Sequence, residues 1–150
     1  RSADGGEVAR RKAAFYTPYH TAITTEIDAQ IARGLTPHLI SIHSFTPQLR
    51  GRPERPWHIG ILWDQDARLA SPLMRALEAE GDLVVGDNQP YSGQLQGDCM
   101  YQHGTSRGLP HVLIEIRNDL ISDETGQRTW AERLARLITP LVPATAKETA

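Results

Sequence analysis

The sequence has little cysteine and few aromatic residues. Its 150 residues include one cysteine, Cys99, and aromatic residues make up 6% of the chain. One cysteine cannot form an internal disulfide or a cysteine-rich metal knuckle, so the sequence favours a reducing compartment, which we expect to be the cytoplasm. A metal bound by this chain would therefore need histidine and carboxylate ligands.

The sequence also lacks long apolar runs and a strong excess of charge of one sign. No run approaches the roughly 18 apolar residues of a membrane-spanning helix, and residues 1–14 are polar rather than signal-like. The formal net charge is −2, so the composition favours neither nucleic acid nor a membrane as partner. We expect a small-molecule partner. Because the chain starts at Arg1 without a methionine, we also expect it to be a fragment of a longer protein.

A single compact domain over residues 1–150 is predicted, since a chain of this length can bury roughly two thirds of its surface. Three segments have apolar residues at the spacing of a helix face, and glycines are placed to end the first two. The predicted helices span 7–33 before Gly34, run from Ser71-Pro72 to Gly81, and surround Trp130, Leu134, Leu137 and Ile138.

Four short apolar runs predict buried strands. Because they alternate with helices, we predict a layered α/β fold around a mostly parallel sheet, which binds ligands beyond the carboxyl ends of its strands. Loops that follow strands are then expected to gather at one edge of the sheet. The predicted strands are Leu39–Phe45, His58–Trp63, Leu83–Val85 and His111–Arg117, and the predicted long loops are 46–57 and 86–110.

Two of these strands carry a group suited to hydrolytic chemistry. His43 lies near the carboxyl end of the first strand, and Glu115 lies in the fourth. If the strands are neighbours, the imidazole and the carboxylate could share a pocket, as a metal ligand and a general base do in metal-assisted hydrolysis. Two structural alternatives remain open. His43 could be a core histidine bonded to backbone, and Glu115 could form an ion pair with Arg117, two residues along the same strand face.

Polar residues in the two long loops are candidates for a substrate site, and the arginines and Asn88 among them are candidates for binding a substrate carboxylate. Arginine provides a fork-shaped pair of donors for such a group, and a loop of more than twenty residues in a compact domain is usually functional. Each of these residues could instead lie in solvent or cap a turn, which is the interpretation we prefer for Asp66. The candidates are Arg50, Arg52 and Arg55 in the first loop, and Asp87, Asn88, His103 and Arg107 in the second.

Five segments match, in order, the pattern of a known hydrolase family. They are 15–20 (Phe-Tyr-Thr-Pro-Tyr-His), 39–47, 55–63 (Arg-Pro-Trp-His-Ile-Gly-Ile-Leu-Trp), 86–91 (Gly-Asp-Asn-Gln-Pro-Tyr) and 103–121. By these segments the sequence resembles the N-formylglutamate amidohydrolase family over most of residues 15–121. It resembles the zinc carboxypeptidases more distantly, in Ser41-Ile42-His43-Ser44 and Glu115-Ile116-Arg117.

The resemblance implies a zinc-hydrolase fold of the phosphorylase/hydrolase-like type, with three α/β/α layers and an incomplete N-terminus in this chain. It implies that His43 is a zinc ligand and that Glu115 is the general base for the water that attacks the substrate. The implied reaction is hydrolysis of N-formyl-L-glutamate, a step of histidine breakdown, or of a related N-acyl amino acid. Its products would be formate, or another acid, and the amino acid.

The sequence departs from the family pattern in its metal ligands. The upstream strand with an Asp-His-Ala-Ser-like or Pro-His-Ser-like motif is missing, and no histidine has a glutamate three residues later. A catalytic zinc needs three protein ligands, so we expect the remaining ligands outside this chain, which would then be the C-terminal part of a longer protein. We therefore expect weak zinc binding and little turnover from the chain alone. The alternative function is a non-catalytic module that binds small carboxylates on the same fold.

Overall fold

The computed structural model describes residues 4–142, and the chain divides into two compact units between Pro37 and His38. The first unit is helical. Helix α1 spans Gly5–Arg11, a π-helical turn spans Lys12–Tyr16, and helix α2 spans Thr17–Ala32. The helix predicted over 7–33 is therefore present, with a local irregularity just before Pro18. Pro18 has no N–H to donate to the helical turn before it, and prolines and π-helical turns are usual causes of such an irregularity.

Over residues 38–142, the second unit contains a four-stranded sheet and three helices. The sheet has the order β1-β4-β2-β3, in which β1 is parallel to β4, β2 is parallel to β3, and β2 is antiparallel to β4. This arrangement confirms the predicted α/β class. The strands are β1 (Leu39–Phe45), β2 (Ile59–Leu62), β3 (Val85–Asp87) and β4 (His111–Arg117), and the helices are α3 (Ala70–Glu78), α4 (Cys99–His103) and α5 (Glu124–Ile138). Short 3-10 turns span Thr105–Arg107, Asn118–Ile121 and Thr139–Leu141.

The hydrophobic core lies between one face of the sheet and helices α3 and α5. Successive strand residues point to opposite faces, so the alternate aliphatic residues of β2 and β4 enter this core while Glu115 lies on the other face. The segment after β3 crosses that second face, where a Cβ at Gly60 would collide with the backbone oxygen of Gln89. The main core residues are Ile59, Ile61, Leu73, Leu77, Val112, Ile114, Ile116, Trp130 and Leu134.

The antiparallel pairing of β2 with β4 changes where the loops begin. The carboxyl ends of β1 and β4 lie at one edge of the sheet, and those of β2 and β3 lie at the other. The expectation that the loops after the strands gather at one edge is therefore wrong. The loop 46–57 starts at one edge, and the segment after β3 starts at the opposite edge.

The predicted loop 86–110 contains a short helix. Helix α4 begins after Asp98, whose side chain accepts a hydrogen bond from the backbone N–H of Tyr101. This is an N-cap, which satisfies one of the free donors at a helix start. A helix of five residues is too short to show a hydrophobic period, so the pattern of the sequence did not indicate it.

Within residues 4–142, no helix is long and apolar enough to cross a lipid bilayer.

Truncation of the core residue Leu73 should destabilise the second unit strongly. Leu73 is 1% exposed on α3, so Leu73→Ala should lower the free energy of unfolding by about 2–5 kcal/mol through lost burial and a cavity. Urea denaturation measures this loss. The matched control is Leu49→Ala in the loop 46–57, because Leu49 is 46% exposed and should lose less than about 1 kcal/mol. Equal losses would contradict the assigned core.

Candidate active site

His43 and Glu115 lie side by side on the second face of the sheet. In the parallel pairing of β1 with β4, His43 is aligned with Glu115, and its Nδ1 is 3.7 Å from Glu115 Oε1. Aligned residues of neighbouring strands point to the same face. The structure thus brings together the imidazole and the carboxylate that the sequence places about seventy residues apart.

The two side chains have very different environments. The Glu115 side chain is 6% exposed, whereas the His43 side chain is 56% exposed. Among the described residues, Glu115 Oε2 is buried without a hydrogen-bond donor. A buried carboxylate without a partner is costly when ionised, and burial raises the pKa of Glu115, against smaller opposing effects of His43 and Arg55. The site therefore contains a carboxylate with a raised proton affinity and one oxygen available for a ligand.

Arg117 does not neutralise Glu115. Its guanidinium instead binds Asp119 through Nε at 2.8 Å and Nη2 at 3.2 Å. Arg117 lies at the end of β4, where it can reach the turn that follows the strand. The alternative of a structural Glu115–Arg117 pair is therefore wrong, and the burial of Glu115 remains without a compensating cation in direct contact.

A cavity of about 220 Å³ lies against this face of the sheet, bounded by the ends of β1, β2 and β4 and by the segment after β3. Most of its walls are apolar or aromatic, with a few polar groups among them, which is the usual composition of a small-molecule site. It is lined by His43, Leu62, Trp63, Asp64, Tyr91, Ser92, Gly93, Leu95, Asp98, Met100, Tyr101, Thr105, His111, Leu113 and Glu115.

A buried histidine forms part of the same cavity wall. His111 is 3% exposed, its Nδ1 is 2.8 Å from the carbonyl oxygen of Leu109, and its Nε2 is 3.0 Å from Thr105 Oγ1. Because the carbonyl accepts only, Nδ1 carries a proton. A Cβ at position 104 would collide with the imidazole ring, so Gly104 allows the chain to pass close to His111. These contacts hold the Thr105 hydroxyl in a defined position at the cavity.

The residues predicted to bind a substrate carboxylate lie outside the cavity lining. Asn88 Oδ1 accepts hydrogen bonds from the backbone N–H groups of Trp63 at 3.1 Å and Gly93 at 2.8 Å, so this side chain braces the segment after β3. The other candidates have different positions. Arg50 and Arg52 are exposed and Arg55 is half-buried in the loop 46–57, Asp87 is exposed at the end of β3, His103 is buried at the end of α4, and Arg107 is half-buried in a 3-10 turn. Their assignment as substrate ligands stays a prediction.

Sequence reasoning missed several cavity residues in the segment after β3. Tyr91, Asp98 and Thr105 line the cavity, but they lie in a stretch without a periodic pattern. Asp66 has the predicted turn role, because its Oδ1 accepts from the backbone N–H of Arg68 at 3.0 Å. The Arg68 guanidinium also binds the Asp66 carboxylate and lowers its pKa.

His43 and Glu115 fit part of a zinc site. An exposed imidazole and a buried carboxylate with a free oxygen are donors that zinc accepts. Across residues 4–142, however, no third histidine, cysteine or acidic ligand atom lies within 4.8 Å of both. A catalytic zinc has three protein ligands, so the described residues supply an incomplete set.

The raised pKa of Glu115 predicts a pH-dependent stability. The folded chain retains the Glu115 proton above the ordinary pKa of 4.5, so the unfolded chain binds fewer protons between the two pKa values and stability falls as pH rises through the folded pKa. Glu115→Gln removes this loss. We expect the Tm advantage of Glu115→Gln over the native chain, in the presence of a chelator, to grow between about pH 4 and about pH 8. A constant difference in thermal unfolding across that range would contradict the burial effect.

An α/β sheet with an imidazole and a buried carboxylate over an apolar cavity is typical of a hydrolase. A sequence model of the N-formylglutamate amidohydrolase family matches residues 1–122. The chain belongs to this family. A comparison with curated proteins found no significant match.

Two solved structures are similar to this chain. A gene product of Agrobacterium tumefaciens is 34% identical, with a TM-score of 0.80 and coverage of 93% of this chain and 55% of its own. The N-formylglutamate amidohydrolase of Ralstonia eutropha JMP134 is 27% identical, with a TM-score of 0.64 and coverage of 94% and 53%, respectively. This chain therefore spans about half the length of each of these two proteins.

Proposed function

We propose that this chain supplies His43 and Glu115 to an active site that hydrolyses the amide bond of N-formyl-L-glutamate or a related N-acyl amino acid. The observation that carries the proposal is the 3.7 Å approach of His43 to Glu115, whose second carboxylate oxygen is buried without a donor in the described part of the chain. Membership of the N-formylglutamate amidohydrolase family supports the substrate class.

Glu115 is the proposed general base. A carboxylate of raised pKa takes a proton from a water molecule more readily than an ordinary one. As the water oxygen bonds to the formyl carbon, Glu115 accepts the water proton, and it then delivers that proton to the nitrogen as the C–N bond breaks. The products are formate and glutamate.

His43 is the proposed zinc ligand. Zinc at this position would polarise the substrate carbonyl and the attacking water. Because the described residues supply too few ligands, we propose that residues outside this chain complete the set. The same incomplete set favours the second candidate function, a non-catalytic module that binds small carboxylates.

Formate release tests the proposal. The full-length protein that contains this chain, incubated with zinc and N-formyl-L-glutamate, should release formate, stop when zinc is chelated and recover when zinc is restored. N-formyl-L-alanine is a matched substrate that lacks the second carboxylate, so its rate of formate release shows how much that carboxylate contributes to hydrolysis. Binding without hydrolysis would favour the non-catalytic module, hydrolysis unaffected by chelation would refute the metal, and absence of both binding and hydrolysis would refute the substrate class.

The proposed setting is the cytoplasm, in histidine breakdown. One cysteine in 150 residues suits a reducing compartment, and N-formylglutamate is the substrate named for the family. The substrate is the proposed partner, with no role for nucleic acid or a membrane.

A further inference from the structure

Arg55 is held by its backbone at the edge of the sheet. Its N–H donates to the carbonyl oxygen of Pro47 at 2.8 Å, and its own carbonyl oxygen accepts from Arg117 Nη1 at 3.5 Å. Gln48 and Glu54 pair across the loop as an isolated antiparallel bridge. The loop 46–57 therefore turns back on itself, and these hydrogen bonds fix the position of the Arg55 backbone.

The Arg55 guanidinium is within cation–π distance of two aromatic rings. It is 5.8 Å from the ring centre of Phe45, which is 2% exposed, and 5.2 Å from the ring centre of Tyr91. Its Nη1 donates to the carbonyl oxygen of Thr46 and to the Tyr91 hydroxyl, each at 3.2 Å. The ring contacts and hydrogen bonds together restrict the orientation of the guanidinium. The side chain therefore loses less conformational entropy when it binds a ligand.

One edge of this guanidinium remains available. Its side-chain hydrogen bonds to described residues all use Nη1, so the Nε–H and Nη2–H groups have no protein acceptor in that part of the molecule. These two groups form the edge by which arginine binds a carboxylate with two parallel hydrogen bonds. Arg117 shows this mode in the same protein, because its Nε and Nη2 bind the Asp119 carboxylate.

Arg55 is close to the candidate active site. Its stacking partner Tyr91 lines the cavity together with His43 and Glu115, and the positive charge of Arg55 acts on the Glu115 carboxyl. Arg50 and Arg52 of the same loop are exposed, whereas Arg55 is half-buried and contacts two aromatic rings.

We propose that Arg55 binds a carboxylate group of the N-acyl amino acid through its free Nε and Nη2 edge. This inference rests on the proposed function and assigns the residue that recognises the charged part of the substrate. Arg55 positions the substrate, whereas Glu115 acts on the water.

Binding measured without turnover tests the role of Arg55. In a Glu115→Gln background, calorimetric titration gives the Kd for N-formyl-L-glutamate, and Arg55→Gln should raise it by about 10²-fold through loss of two charge-assisted hydrogen bonds. Arg55→Lys retains the charge without the fork and should raise it by at least about tenfold. The matched control is Arg75→Gln, which removes the same charge from the exposed surface of α3 and should leave Kd unchanged.

Substrate analogues provide the second readout. With Arg55 present, replacing one of the two carboxylates of N-formyl-L-glutamate by an amide should weaken binding, and Arg55→Gln should abolish that preference. An unchanged Kd in folded Arg55→Gln protein that binds N-formyl-L-glutamate, or a preference that survives the substitution, overturns this inference alone. Absence of binding before Arg55 is changed overturns the proposed function as well. Circular dichroism establishes that each variant is folded.

Discussion

Replacing Glu115 with glutamine is expected to lower the kcat for N-formyl-L-glutamate by about 10²-fold or more. Glutamine has nearly the same shape as glutamate but cannot accept the proton of the attacking water. Because the carboxylate is 6% exposed and its Oε2 has no donor within residues 4–142, the substitution removes a buried charge without leaving a cation unpaired. The fold should therefore be retained, as measured by circular dichroism alongside kcat and KM.

The control for this change is Glu78→Gln. Glu78 is exposed at the end of α3, on the core side of the sheet, so this variant loses the same charge away from the cavity and should keep native turnover. A Glu115→Gln protein with undiminished kcat would exclude Glu115 as the general base. The buried Glu115 carboxylate would then affect only the stability of the folded protein at neutral pH.

Replacing His43 with alanine is expected to remove both zinc and turnover. Loss of a group that merely orients a metal ligand typically weakens metal binding by about 10- to 100-fold, and loss of a ligand itself should cost more. His43 is 56% exposed on an edge strand of the described sheet, so truncation should cost little stability. Zinc content of the purified protein, measured by mass spectrometry of the metal, tests the expectation.

His38→Ala is the matched control for His43. His38 precedes β1 and does not line the cavity, so this variant should keep the native zinc content. Unchanged zinc in His43→Ala protein would refute the proposed ligand. Loss of zinc in both variants would indicate a general effect of altering β1 and would likewise remove the support for His43.

The positions of the strands could be predicted from the sequence because each strand is, for the most part, a short, continuous apolar run. The predictions for β1 and β4 agree with the observed strands, Leu39–Phe45 and His111–Arg117. The third strand was predicted at Leu83–Val85 but is found at Val85–Asp87. Its end carries glycine and aspartate, so its pairing with β2 rather than its hydrophobicity determines its bounds.

The environment of the candidate site was harder to predict from the sequence. Glu115 in an apolar strand indicates a special role, but only pairing with β1 places His43 beside it. The selection of Arg55 among the loop arginines depends on two rings, Phe45 and Tyr91, from different parts of the chain. Neither ring is near Arg55 in sequence, so no local pattern distinguishes Arg55 from Arg52.

The sequence by itself determined the α/β class, the family, and the presence of an imidazole and a carboxylate in two buried-type strands. These features depend on local apolar runs and on motifs of adjacent residues. Three features are visible only in the folded chain. Strand β2 is antiparallel to β4, the cavity lies on a face of the sheet, and Arg117 binds Asp119 instead of Glu115. These depend on contacts between residues distant in sequence, whose energies are settled by packing and burial rather than by local preference.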